Sequence, residues 1–147
     1  MPHANIGNRL ASLVALVLEI DVGAHRCGVL PGRPVVELAT RIAAARNLRF
    51  SGIHAYQGAA QHVRTPAERR AAIEEAVRQV KLSIDLLHEQ GLHVEVVTGA
   101  GTGTYLLEAA SGVYNEIQPG SYIFMDADYA RNKGPNGGPF DAFDTEA

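Results

Sequence analysis

The sequence contains one cysteine, Cys27, so no internal disulfide can form, and such usage suits a reducing cytoplasm. It has no basic excess: 13 Lys and Arg stand against 16 Asp and Glu. The net charge of −3 offers no footprint for nucleic acid. No apolar run reaches the ~18 residues a membrane span needs. Residues 10–20 come nearest, but Met1-Pro2-His3 lacks the positive start of a signal peptide and no cleavage pattern follows. Low-complexity tracts and fixed-length repeats are absent too. What is left is ordinary for one globular domain: 147 residues, 46% hydrophobic and 20% charged. The expectation is a cytoplasmic protein with neither nucleic acid nor membrane as partner.

Several chemical signatures are missing as well. There is no Gly-Lys-Ser or Gly-Lys-Thr, which excludes a Walker loop. Gly99-Ala100-Gly101-Thr102-Gly103 falls one residue short of the dinucleotide spacing. His54, His62 and Asp21 lie on separate segments without H-x-H or HExxH spacing, so they read as solvated or structural groups rather than metal ligands.

The chain alternates strand and helix. Residues 12–20 are apolar and β-branched and predict a strand buried on both faces. Pro34 opens a helix to about Arg46, with Val35, Leu38, Ala39, Ile42 and Ala43 on its apolar face. Residues 48–55 predict a second strand. Thr65-Pro66-Ala67-Glu68 is a capping box with proline at the first helical position, and its helix runs to about Gln90 before Gly91. Residues 93–97 predict the third strand, 105–110 a short helix capped by Thr104, and 114–118 the fourth strand. Ile123–Asp126 suits a strand extension or a helical turn, and the Gly, Pro and Asp after Asn132 predict a frayed tail. The pattern implies a parallel sheet with helical crossovers. Four strands make half of an eight-stranded barrel, whose full form takes ~250 residues.

The polar residues cluster just after each strand. The loop Val97–Thr104 exposes backbone amides and hydroxyls that can cradle a phosphate, or it is a plain tight turn. Pro119-Gly120-Ser121 offers a second half of such a cup. Arg26 can pair with a ligand oxygen or with Glu19 or Asp21. Tyr56 can stack on a planar ring or pack in the core, and Tyr122 and Tyr129 can donate phenol hydroxyls or pack likewise. A phosphate cup, an aromatic and a cation at one sheet edge suit pyridoxal phosphate better than a nucleotide.

Four ordered motifs carry a resemblance over residues 14–131: Glu19-Ile20-Asp21-Val22-Gly23 with Arg26-Cys27-Gly28-Val29, Gly52-Ile53-His54-Ala55-Tyr56-Gln57-Gly58, Gly99-Ala100-Gly101-Thr102-Gly103, and Asn115-Glu116-Ile117-Gln118-Pro119-Gly120-Ser121-Tyr122-Ile123-Phe124-Met125-Asp126. Together they resemble the D-threonine aldolase group, and Ser111-Gly112-Val113-Tyr114-Asn115-Glu116 and Met125-Asp126-Ala127-Asp128-Tyr129 look closest to its 3-hydroxy-D-aspartate aldolase branch. That resemblance implies α/β architecture: a partial (β/α)8 barrel of the alanine racemase N-terminal domain type over residues 1–131, with about four parallel strands, and a flexible tail over 132–147. It implies cofactor contacts by Arg26 (the 3-oxygen), Tyr56 (the pyridine ring), and Thr102, Gly120, Ser121, Tyr122 and Tyr129 (the phosphate). Gln118 takes the position where alanine racemases face the ring nitrogen with an arginine.

No residue of this chain is expected to be catalytic or to hold metal. The family anchors pyridoxal phosphate on a lysine after the first barrel strand, and Lys81 and Lys133 follow no strand. The anchoring lysine is therefore expected upstream of Met1, and the ligands of the parent's divalent metal (Mg, Mn or similar) downstream of Ala147. The implied parent is a homodimeric aldolase cleaving D-3-hydroxyamino acids to glycine and an aldehyde. A D-serine dehydratase of the same fold and a non-catalytic pyridoxal-phosphate-binding module stay open beside it.

Overall fold

A computed structural model describes residues 13–143. Strands β1 (Val14–Glu19), β2 (Leu48–Ala55), β3 (Val96–Gly99) and β4 (Glu116–Ile117) form one sheet in the order β1-β2-β3-β4, each neighbouring pair parallel. Parallel neighbours cannot be joined by a tight turn. Helices α1 (Arg33–Ala44), α2 (Pro66–Glu89) and α3 (Tyr105–Ala110) carry the chain back each time. Among the described residues the sheet does not close, so the architecture is the partial barrel that the sequence predicts. No helix among them is long and apolar enough to cross a membrane.

Strand register sorts the side chains by chemistry. Leu18, Ile53 and Val97 stand in one row and are buried with Val35 and Ala39 of α1 and Val80 and Leu87 of α2. One residue further along each strand, Glu19, His54, Thr98 and Glu116 form a second row on the opposite face. The first row is the floor of the hydrophobic core. The second is a polar strip at the C-terminal edge of the sheet.

Strand β1 differs from its expected burial on both faces: Val14 is 51% and Val17 42% exposed. It pairs on one side only, and the face turned away from α1 and α2 has no covering layer among the described residues. On α1, Ala43 is exposed because the buried stripe narrows to Val35, Ala39 and Ile42. Strand β3 begins three residues late and takes in Thr98 and Gly99, which pair with Glu116 and Ile117. Strand β4 shortens to two residues because the Asn115 side chain takes the place of a ladder partner. Its Oδ1 accepts from Val97 N and its Nδ2 donates to Glu95 O, both at 2.8 Å.

The Thr65 half of the capping box forms, while the Glu68 carboxylate meets the Thr65 hydroxyl rather than its backbone N–H. Thr65 Oγ1 accepts from Glu68 N at 3.4 Å while its hydroxyl donates to the Glu68 carboxylate, and Pro66 opens α2. Thr65→Ala should cost about 1 kcal/mol, read as a lower urea midpoint at unchanged slope. Thr104 stands at the N-cap of α3 without capping it: its oxygen accepts from Gln61 Nε2 while its hydroxyl donates to Glu108. The segment 121–126 opens with a single 3₁₀ turn, Ser121–Ile123.

The tail expected from Asn132 onward lies against the domain as far as residue 143. Asn132 is buried and its Nδ2 donates to Gln61 O at 2.9 Å. Lys133 N donates to Arg64 O, and Lys133 bridges to Pro139. Buried Arg69 donates to three carbonyls, those of Val63, Arg64 and Lys133, and lies 5.5 Å from the Phe140 ring centre. A composition of Gly, Pro and Asp hid these contacts, because those that tie the segment to the domain depend on partners more than sixty residues away. Residues 144–147 lie outside the described residues.

Candidate functional site

All four strands point their C-terminal ends the same way, so the loops that follow them meet at one edge. Six of the seven residues singled out from the sequence, Arg26, Tyr56, Thr102, Gly120, Ser121 and Tyr129, line one open cavity of about 310 Å³. The seventh does not. The Tyr122 ring sits outside, edge-on to Phe143 at 6.0 Å. Only its backbone faces inward, where Tyr122 N donates to Thr102 Oγ1 at 3.1 Å. The short turn that follows Gly120 rotates the Tyr122 side chain away from the cavity.

One end of the cavity is an aromatic and charged wall. Arg26 Nη2 donates to Glu19 Oε1 at 3.2 Å, and its guanidinium lies 5.5 Å from the Tyr56 ring centre. Tyr56 runs parallel to the His54 ring, with centroids 6.4 Å apart. Both readings of Arg26 therefore hold together: it pairs with Glu19 and still borders the cavity. Hydrogen bonds from the Cys27 thiol and then from Arg26 hold the Glu19 carboxyl below its ordinary range. Burial raises the Tyr56 phenol, so the ring presents a neutral hydroxyl.

The polar row beneath this wall is wired together. Thr98 Oγ1 donates to Glu116 Oε1 at 2.7 Å and accepts from Gln118 Nε2 at 2.8 Å. The Gln118 carbonyl consequently faces His54 Nε2 at 3.2 Å, and the network assigns the proton on that bond to histidine. His54 Nδ1 lies 3.6 Å from Glu19 Oε2. The amide of Gln118 is thus committed on both sides.

The other end is a cup of small residues. Ala100 adopts φ +66°, a left-handed conformation that non-glycine residues rarely take, and turns the chain out of β3. Thr102 is buried, and its hydroxyl joins the glycine loop to the Gly120-Ser121 arm through Tyr122 N. Not every loop amide is available: Gly103 N donates to Gln61 Oε1, and Thr104 N and Tyr105 N donate to Gly101 O. The cup is therefore built from 100–102 and 120–121 rather than from the whole loop.

Tyr129 closes this end. Burial raises its phenol, a Ser121 hydrogen bond opposes the rise, and its ring lies 6.1 Å from His62. The segment carrying it is held by Asp128, which Arg64 and then His62 hold down to about 2. His62 is therefore paired with Asp128, His54 with Gln118, and His25 with Asp21. Among the described residues no three His, Cys, Asp or Glu side chains gather as a metal site. Neither Lys81 nor Lys133 lines the cavity.

Sequence reasoning missed His54 as a cavity residue. The signal was there: it precedes the end of β2 by one residue, on the face shared with Glu19. It also missed Gln61 and Glu108, which lie behind the cup and are 1% exposed. Nothing local marks them, since their partners are distant in sequence.

The chain matches the model of the alanine racemase N-terminal domain over residues 4–128. It is 52% identical over 118 residues to a 3-hydroxy-D-aspartate aldolase of Paracoccus denitrificans (strain Pd 1222), covering 80% of this chain and 30% of that one. It is 42% identical over 120 residues to a D-threonine aldolase of an Arthrobacter species, covering 82% and 32%. The crystal structure of D-threonine aldolase from Filomicrobium marinum superposes with a TM-score of 0.82 at 46% identity, covering 88% of this chain and 35% of that chain. An alanine racemase of Clostridium difficile shares the fold at a TM-score of 0.67 and 14% identity. This chain thus spans about a third of the length of the relatives it matches. An open four-stranded parallel sheet, its polar edge and a family match across most of its length lead to one conclusion: the chain belongs to the alanine racemase N-terminal domain family.

Proposed function

We propose that the cavity binds pyridoxal 5′-phosphate and that the whole protein is a pyridoxal-phosphate-dependent aldolase cleaving D-3-hydroxyamino acids, such as 3-hydroxy-D-aspartate or D-threonine, to glycine and an aldehyde. One observation carries this reading: a single cavity joins an anion cup at one end to an aromatic ring and a guanidinium at the other. That spacing of chemistries fits a phosphate ester of a flat heteroaromatic ring. The two relatives named as aldolases support the reaction class.

When bound, pyridoxal phosphate supplies the sink for the electron pair released as Cα–Cβ breaks. The residues of this chain bind and orient. Thr102, Gly120 and Ser121 would donate to the phosphate, and Tyr129 would wall it off from solvent. Arg26, whose guanidinium Glu19 holds, would donate to an oxygen of the ring. Tyr56 would lie against the ring. Gln118 would offer the ring nitrogen a neutral group. The divalent metal and the second subunit of a homodimer belong to the same reading of the whole protein.

Binding can be read directly on this chain by titrating it with pyridoxal phosphate and, separately, with pyridoxal. The expected result is a preference of about tenfold or more for the phosphorylated form, the value of one to two charge-assisted hydrogen bonds. Thr102→Val should erode that preference, and Arg26→Ala should weaken both ligands by a similar factor. Equal affinity for the two ligands would overturn the phosphate assignment. In the whole protein, aldehyde release from a D-3-hydroxyamino acid supports the aldolase reading, and ammonia release without aldehyde refutes it.

A further inference from the structure

We infer that Gln61 is the positioning residue of the anion cup, held in the working orientation by a Glu108–Thr104 relay behind the glycine loop; this rests on the pyridoxal phosphate reading above. Gln61 sits on the 3₁₀ turn Ala59–His62, faces away from solvent and does not line the cavity. Its carbonyl oxygen accepts from Gly103 N at 2.8 Å. Its Nε2 donates to Thr104 Oγ1 at 2.8 Å and to Gln57 O at 3.2 Å. All of its amide is used within the protein.

The loop is shaped around that amide. A Cβ on Gly101 would come within 2.5 Å of Gln61 Oε1, and one on Gly103 within 3.1 Å of Gln61 O. The glycines at 101 and 103 are therefore the space that Gln61 occupies, and Thr102 between them is pressed toward the cavity. By sequence alone the alternation Gly-Thr-Gly reads as bare amides open to a phosphate. Its structural reason is a buried side chain behind the loop.

Direction along the relay follows from donors and acceptors. The Thr104 hydroxyl gives its proton to Glu108 Oε1 at 2.8 Å, so its oxygen must accept, and only the NH₂ end of Gln61 can meet it. That leaves the carbonyl end for Gly103 N–H. A reversed amide would set its NH₂ against that N–H, donor facing donor. Glu108 thus selects which end of Gln61 meets the loop, although it does not line the cavity. Asn132 anchors the same residue from the other side, through Gln61 O, and is itself held by Arg64 at 2.8 Å.

A merely structural residue would alter stability alone, whereas a positioning residue of the cup alters selectivity for the phosphate. The test compares pyridoxal phosphate with pyridoxal on wild type, Gln61→Met and Thr104→Val, with folding checked by circular dichroism. Methionine keeps the bulk of Gln61 and removes all three side-chain hydrogen bonds; valine keeps the shape of Thr104 and removes the relay. The expected result is that Gln61→Met loses the phosphate preference by about tenfold, with pyridoxal affinity within about twofold of wild type. Thr104→Val should lose it in part. Full preference in a folded Gln61→Met overturns the inference. If Gln61→Met does not fold, Thr104→Val decides: reduced preference supports the relay and unchanged preference overturns it. If wild type itself shows no preference, the pyridoxal phosphate reading fails and takes this inference with it, an outcome separable from failure of the variants alone.

Discussion

Gly52→Ala should leave little folded protein. Gly52 lies in the interior of β2, paired with Val17 on one side and Val96 on the other. A Cβ there would stand 1.9 Å from Val96 O and 2.7 Å from its carbonyl carbon. Both atoms are backbone, so no rotamer change relieves the contact. The strands would have to part beyond their normal spacing of about 4.8 Å, breaking the ladder that holds β3 to the rest of the sheet. We expect a loss of at least about 4 kcal/mol, the upper end of single-substitution effects. Against a total stability of about 5–15 kcal/mol for ordinary domains, that is enough to empty the native state of an open sheet. Soluble yield and a thermal melt by circular dichroism measure it. Gly120→Ala is the matched control: a Cβ there meets nothing within 4 Å, so its melting curve should overlay wild type. A native-like melt for Gly52→Ala would show that the β2–β3 contact is looser than the geometry states.

Glu108→Gln should stabilise the protein at alkaline pH and do so less and less as the solution is acidified. Glu108 is 1% exposed, one of its oxygens accepts from Thr104, and the other has no partner. Burial pushes its carboxyl up from 4.5 to about 7, against a smaller downward pull from the Thr104 hydrogen bond. The folded protein therefore holds this proton over a window, about pH 4.5 to 7, in which the unfolded chain has released it. Its stabilising contribution is complete below about 4.5 and is lost as pH rises through about 7. At about 1.4 kcal/mol per unit, the ionised form costs on the order of 3 kcal/mol at pH 8. Glutamine removes the charge but brings an NH₂ without an acceptor, which costs about 1 kcal/mol. A net gain of about 2 kcal/mol, roughly 4–8 °C in Tm, is expected at pH 8; it should cross zero at about pH 5 and become a loss of about 1 kcal/mol below about pH 4.5. Asp128, Asp21 and Glu19 have lowered values and act in the opposite sense. The measurement is therefore the difference between variant and wild type at each pH. An offset that does not change with pH would refute the buried-carboxylate account.

The parts of the fold that were legible in the sequence are those set by local chemistry. Strand β2 and α3 match their expected bounds, and α2 starts at the predicted Pro66 because a Thr-Pro-x-Glu box specifies its own first turn. Strands β3 and β4 shifted because pairing, rather than apolar content, decides where a strand is. Thr98 and Gly99 are strand residues because His54 and Ala55 lie beside them on one side and Glu116 and Ile117 on the other. The site was legible as a list and only partly as a geometry. Six residues meet at one cavity, while Tyr122 turns outward on a short turn that no spacing rule specifies. Gln61 and Glu108 stayed hidden because a buried polar side chain has no periodic signature of its own.

The polar row Glu19, His54, Thr98 and Glu116 also bears on how the sheet finds its alignment. Runs such as Val14-Ala15-Leu16-Val17-Leu18 carry little information about register, since one apolar residue substitutes for another. Each of the four polar residues follows immediately on a residue of the opposite face. A slip of one position would turn that strand over and drive a carboxylate or an imidazole beneath α1 and α2, at a cost of several kcal/mol. The strip beside the cavity, which His54 itself lines, thus also penalises misaligned assembly, so the polar edge of the sheet and the fidelity of its pairing are specified by the same four side chains.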